Sequence, residues 1–153
     1  MTLLDAKQYD PTRDRRRMVI VIGSILLILI LAGLAWLFRY WREAHVADKF
    51  FSALQKQDYD TAYGVWMHDP QWREHPTQYA RYPFKEFYTD WGLGGEWGKI
   101  NSYKIFWSGN CPRAGSGVVV DVIVNQRVGK HAQVYVSKED KTLGYPPCDI
   151  EVH

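Results

Sequence analysis

The chain reads as an α+β protein: a single N-terminal transmembrane helix, then a domain of about three helices followed by about four antiparallel strands. Three observations predict it. Residues 18–38, MVIVIGSILLILILAGLAWLF, are twenty-one consecutive positions without a charged side chain. Residues 39–57 then place apolar side chains at helical spacing. From Lys99 onward the period changes to the alternation of strands. Helices first and strands after, in separate blocks, make the domain α+β.

At about 1.5 Å per residue the apolar run spans about 30 Å, the thickness of a bilayer's hydrocarbon core. Arg13, Arg15, Arg16 and Arg17 precede it, and Trp36, Phe38, Tyr40 and Trp41 end or follow it. Arg15, Arg16, Arg17, Trp36, Tyr40 and Trp41 are therefore expected at the membrane interface. Arginines before a first helix hold that end in the cytoplasm. The expected topology is a cytoplasmic tail over residues 1–17, a span over 18–38, and a periplasmic domain outside a bacterial inner membrane. A cleaved signal peptide is the alternative, with Gly33-Leu34-Ala35 as a small-x-small site. Such peptides carry apolar stretches of about 7–15 residues, so the length favours an anchor, as does the unbroken Leu26–Leu31 segment. Twin-arginine export fits less well, because Arg15-Arg16-Arg17 runs straight into the apolar stretch.

Charge is divided unevenly. Residues 1–17 hold five Lys/Arg against three Asp/Glu, whereas residues 39–153 hold fourteen of each. A neutral domain offers no electrostatic basis for nucleic acid as a partner. The basic tail is accounted for by topology and anionic headgroups. Both cysteines, Cys111 and Cys148, lie in the exported part, where an oxidising compartment favours a disulfide. Zinc is the rival reading, but two cysteines 37 apart without CxxC spacing make a poor zinc site.

Residues 39–57, RYWREAHVADKFFSALQKQ, place Val46, Ala47, Phe50, Phe51 and Leu54 on one helical face. No Pro or Gly separates this juxtamembrane helix from the anchor, which predicts one continuous rod. A second helix follows, capped by Asp58 or Asp60, with Ala62, Tyr63, Val65 and Trp66 on its buried face. Residues 68–83 contain three prolines and no period, and read as an irregular loop. A short third helix over Phe84–Trp91 is ended by the glycines of GLGGEWG. The segments INSYKIFWSG, GVVVDVIVNQRV and HAQVYVSK read as strands. Asn110–Gly117 and Arg127–Lys130 hold turn residues, and Lys138–Lys141 a charged hairpin tip. Pro146 and Pro147 interrupt a last strand over Leu143–Val152, which suits a sheet edge.

The segment VADKFFSALQKQDYDTAYGVW, with Phe50, Phe51, Leu54, Asp58-Tyr59 and Ala62-Tyr63, resembles the opening of membrane-anchored members of the nuclear transport factor 2-like superfamily. The later GKINSYKI resembles that family's first strand. The resemblance covers residues 44–153 and implies a curved sheet wrapped around a long helix. Its motif is core packing, so it speaks for fold rather than activity. The family includes isomerases, dehydratases, small-ligand binders, scaffolds and assembly subunits of membrane machines, such as the single-span core components of type IV secretion systems.

Isomerase-like members use a carboxylate inside the cone. Asp121, in VVVDVIV, is the best analogue here. Alternation puts it with Val119 and Ile123, opposite the apolar face of Val118, Val120, Val122 and Val124, so it is expected to face solvent or a partner. His68 and His75, with Asp69 and Glu74, lack the spacing of a metal site and fit a polar loop. His131 and His45 have no partner in sequence. Nine aromatic residues fall between Trp66 and Trp97. Most serve a core, and Trp72, Tyr79 and Tyr82 are the candidates for a partner-binding surface. The expected function is non-catalytic: a membrane-complex accessory or assembly subunit without cofactor, binding bilayer and protein partners. A small-molecule ligand in the cone cavity and an isomerase- or hydrolase-like enzyme are the alternatives. A filled cone favours the scaffold; an open pocket with an inward acid favours the rivals.

Overall fold

The computed structural model describes residues 11–111 and 116–148, with side chains from residue 13. The expected turn residues 112–115, the tail up to residue 10 and the end of the expected last strand, 149–153, lie outside the described residues. The chain divides into two units, one ending at Arg39 and one beginning at Tyr40.

The first unit is α1 (Pro11–Leu37). Its apolar side chains are exposed along the whole run, from Met18 at 65% to Leu37 at 68%. The hydroxyl of Ser24 donates to the Ile20 carbonyl at 2.8 Å. That bond satisfies a polar group that hydrocarbon would otherwise penalise. Arg39 lies over the Trp36 ring, 5.7 Å from its centroid. The helix is long and apolar enough to cross a membrane.

The helical path from Arg13 to Gln55 passes through a turn at residues 38–40. Tyr40, at φ −109° and ψ 6°, leaves helical geometry and becomes the N-cap of α2 (Trp41–Gln55), its carbonyl accepting from Ala44 at 3.0 Å. The Lys138 ammonium sits 5.8 Å from the centroid of the Tyr40 ring, which ties this residue to the globular unit.

α2 buries Ala47, Phe50, Phe51 and Leu54, the face its spacing dictates. It ends where Gln57 takes a left-handed conformation, φ 58°. Gln57 N–H then reaches Leu54 O and Asp58 N–H reaches Ala53 O, both at 3.0 Å. This paired closure satisfies the last carbonyls of the helix. Asp58 in turn caps α3 (Tyr59–Trp66) by accepting from Thr61 N–H at 3.0 Å. The loop to α4 (Phe84–Trp91) holds one 3₁₀ turn at Trp72–Glu74.

Four strands follow as a meander: β1 (Tyr103–Asn110), β2 (Gly117–Val124), β3 (His131–Ser137) and β4 (Leu143–Gly144). They pair antiparallel in the order β1-β2-β3-β4. The structure thus has the α+β class, the helix-then-strand order and the four-stranded antiparallel sheet that the periodicities predict. Among the described residues the last strand is only two residues long. On one face Val118, Val120, Val122, Val124, Ala132, Val134 and Val136 join Ala47, Phe50, Phe51, Leu54, Tyr63, Trp66, Phe87 and Trp91 in one core. Edge-to-face ring pairs, such as Phe50 with Trp91 at 5.0 Å, fill the space between helices and sheet.

Two further ties hold this unit. Cys111 and Cys148 form a disulfide, Cα–Cα 6.0 Å. The Lys141 ammonium, at the β3–β4 tip, meets the buried Glu43 carboxylate of α2 at 2.9 Å. Burial by itself pushes the Glu43 carboxyl up. The Lys141 hydrogen bond and charge, with Lys138 nearby, overcome that and hold it below its ordinary value.

Candidate functional site

The open face of the sheet, opposite the helices, departs most from what a strand pattern provides. A β-bulge between Ile105 and Trp107 shifts the register of β1 against β2. Ile105 packs against the core. Beyond the bulge Trp107 pairs with Asp121, so Phe106 and Trp107 both stay substantially exposed, at 50% and 39%. Glycines make room for flat-lying rings. A Cβ at Gly109 would come 2.2 Å from the Trp107 indole, and one at Gly117 2.0 Å from the Tyr135 ring. The Phe106 ring meets the His131 ring edge-on at 5.2 Å.

Asp121 is fully buried within this face. The expectation that it meets solvent or a partner is corrected on that point. Its placement opposite the core valines holds, but its neighbours on β3 close over it. His131 Nδ1 donates to Asp121 Oδ2 at 2.6 Å, and Gln133 Nε2 donates to Oδ1 at 3.1 Å. Gln133 is the direct cross-strand partner of Asp121, and His131 is one diagonal step away. His131, which has no partner in sequence, gains one through register. The signal was present in the alternation, since Asp121, His131 and Gln133 share strand parity. It required the β2–β3 pairing to be read.

The imidazole of this pair borders a cleft of about 460 Å³ at the β2–β3 turn, lined by Ser102, Tyr103, Lys104, Ile123, Arg127 and His131, among others. The imidazole is 20% exposed. Asn125 and Gln126, at φ 52° and 55°, form the tight turn, and its rim exposes Val128 completely.

The expected partner-binding aromatics occupy the edge of the core. Trp72 stacks on Phe84 at 5.0 Å and donates through Nε1 to the Asp60 carbonyl at 3.2 Å. Tyr79 donates to Asp69 Oδ2 at 2.7 Å, and burial, then that carboxylate, pushes its hydroxyl up to about 12. Tyr82 and Tyr145 both donate to Asp90 Oδ2, at 2.7 and 2.8 Å. Burial is the first cause raising both phenols, so these remain protonated donors at neutral pH. All three candidate rings are half-buried, with their polar atoms bonded inside the chain. Beyond Trp36, Phe38 and Trp41, the large exposed rings among the described residues are Phe106, Trp107, Tyr88 and Tyr145.

His75 Nδ1 bonds Asp69 at 2.8 Å, while His68 sits in a left-handed turn at φ 53°. Among the described residues no group of three or more His, Cys, Asp or Glu is arranged to hold a metal ion. The interface residues place Trp41 stacked on His45 at 5.6 Å, with Trp36 and Trp41 exposed. No family model, curated protein or solved structure matches this chain.

Proposed function

We propose that this chain is a non-catalytic single-span protein of a bacterial inner membrane, an accessory or assembly subunit of a membrane complex. Its N-terminus lies inside, and its second unit, a nuclear transport factor 2-like domain, is displayed outside. The observation that carries this reading is the pairing of an exposed apolar helix with a domain whose interior is filled. Phe50, Phe51, Trp66, Phe87 and Trp91 occupy the space between helices and sheet where a cone cavity would lie. The one acid of β2 sits on the opposite face. Both features weigh against ligand binding or isomerase chemistry in a cone interior.

Partner contact through the globular unit is tested by chemical crosslinking in membranes and mass spectrometry of the purified complex. Trp72→Ala with Tyr82→Ala probes the loop, and Phe106→Ser with Trp107→Ser probes the sheet face. A stoichiometric membrane-protein partner lost in one pair, with circular dichroism unchanged, is the expected result. An exposed aromatic anchor contributes about 2 kcal/mol or more to binding. A chain that crosslinks to no other subunit, while Asp121→Asn abolishes its cellular phenotype with circular dichroism and thermal unfolding unchanged, would overturn the non-catalytic reading.

A further inference from the structure

Asp121 poses an energetic question. A carboxylate placed out of water in the central part of a valine strand costs several kcal/mol, and a valine there would serve the sheet equally well. What the carboxylate does on this face is hold one imidazole. With Nδ1 donating to Asp121 at 2.6 Å and the Phe106 ring against its side, the His131 ring is fixed in orientation. Its second nitrogen, Nε2, makes no hydrogen bond and is not buried among the described residues. A carboxylate behind an imidazole is how proteins present one ring nitrogen to a ligand.

The cleft beside that ring has a definite charge character. Lys104, Ile123 and His131 form one cross-strand row on the open face. Two strand spacings separate the outer pair, so their backbones stand about 10 Å apart with the Ile123 side chain as the floor between them. Lys104 makes no ion pair among the described residues. Arg127 is held at the rim, its guanidinium 5.6 Å from the Trp97 ring centroid and donating to the Glu96 carbonyl. Lys130 is neutralised by Glu96 at 2.8 Å. The one acid in contact with the row, Asp121, is behind His131 and does not line the cleft. The cleft is therefore cationic in a domain whose net charge is zero.

We propose that this cleft binds an oxyanion, a carboxylate or phosphate group, between Lys104 and His131, with Arg127 contributing charge from the rim. The bound imidazole is doubly protonated, donating through Nδ1 to Asp121 and through Nε2 to the anion. Asp121 acts as a positioning residue. The charged groups facing His131 are Asp121 on β2, Lys104 on β1 and Arg127 on the turn. A metal ion is a poorer fit, because the cleft offers one imidazole and two cations.

The test uses the full chain in neutral-detergent micelles, with the His131 imidazole resonances followed by NMR as inorganic phosphate is added at one fixed pH. The expected result is saturable binding. Lys104→Gln should weaken it by about fivefold or more, as loss of a charge-assisted hydrogen bond requires. Lys104 is exposed and leaves Asp121 untouched, so this variant stays folded. A second arm places the chain in zwitterionic vesicles with and without an anionic phospholipid. A shift on adding phosphate identifies a soluble anion, and a shift on adding the lipid identifies a headgroup. No response in either arm, or a response equal in Lys104→Gln, overturns the proposal.

Discussion

The two buried acids among the described residues, Asp121 and Glu43, are handled by different partners. Asp121 receives an imidazole and an amide from the next strand. Removing His131 alone leaves a buried carboxylate short of a partner, whereas removing both groups leaves none to satisfy. His131→Leu is therefore expected to cost about 3 kcal/mol, and Asp121→Val with His131→Leu much less. Urea denaturation of the single and double variants checks this; equal losses in both would contradict it. Glu43 is held below its ordinary value of 4.5, burial being outweighed by Lys141 and Lys138. Its folded carboxyl thus binds a proton less readily than its unfolded one. The stability it contributes is complete above that ordinary value and is lost as pH falls through the folded value. The difference between wild type and Glu43→Gln should be constant from about pH 7 to pH 5 and shrink below. A difference that grows on acidification would contradict the pairing with Lys141. The Glu43 partnership was not legible in the sequence, because Glu43 and Lys141 are 98 positions apart and meet only through the fold.

The elements themselves were legible where period and stop signals agreed. Phe84–Trp91 has its boundaries in a preceding proline and a following glycine, and the helix has those limits. β2 and β3 follow the alternation of Val118–Val124 and Ala132–Val136. The turn at residues 38–40 was not legible, since no Pro or Gly marks it. The bulge at Ile105–Trp107 was equally hidden, because a two-residue period cannot register one extra residue. The disulfide joins the end of β1 to the segment after β4, closing a loop of 37 residues. Cys111→Ser and Cys148→Ser should each lower stability by about 3–4 kcal/mol, and the double variant by no more than either. Thermal unfolding with and without reductant measures this. An additive double loss would show that each cysteine contributes separately.

At the scale of the whole molecule, the account rests on an apolar helix joined to a domain with a filled core. The helix was readable because length and composition alone make it a candidate span. The site was not, because Asp121, His131 and Lys104 come from three strands and become neighbours only through the register. The rim of the β2–β3 turn supplies a direct probe of topology. Val128 is completely exposed, and the two native cysteines are paired in the disulfide. A single Val128→Cys substitution therefore adds one accessible thiol. In intact bacterial spheroplasts expressing this variant, a maleimide that cannot cross membranes should label it as fully as it does after lysis. Labelling that appears only after lysis would contradict the account.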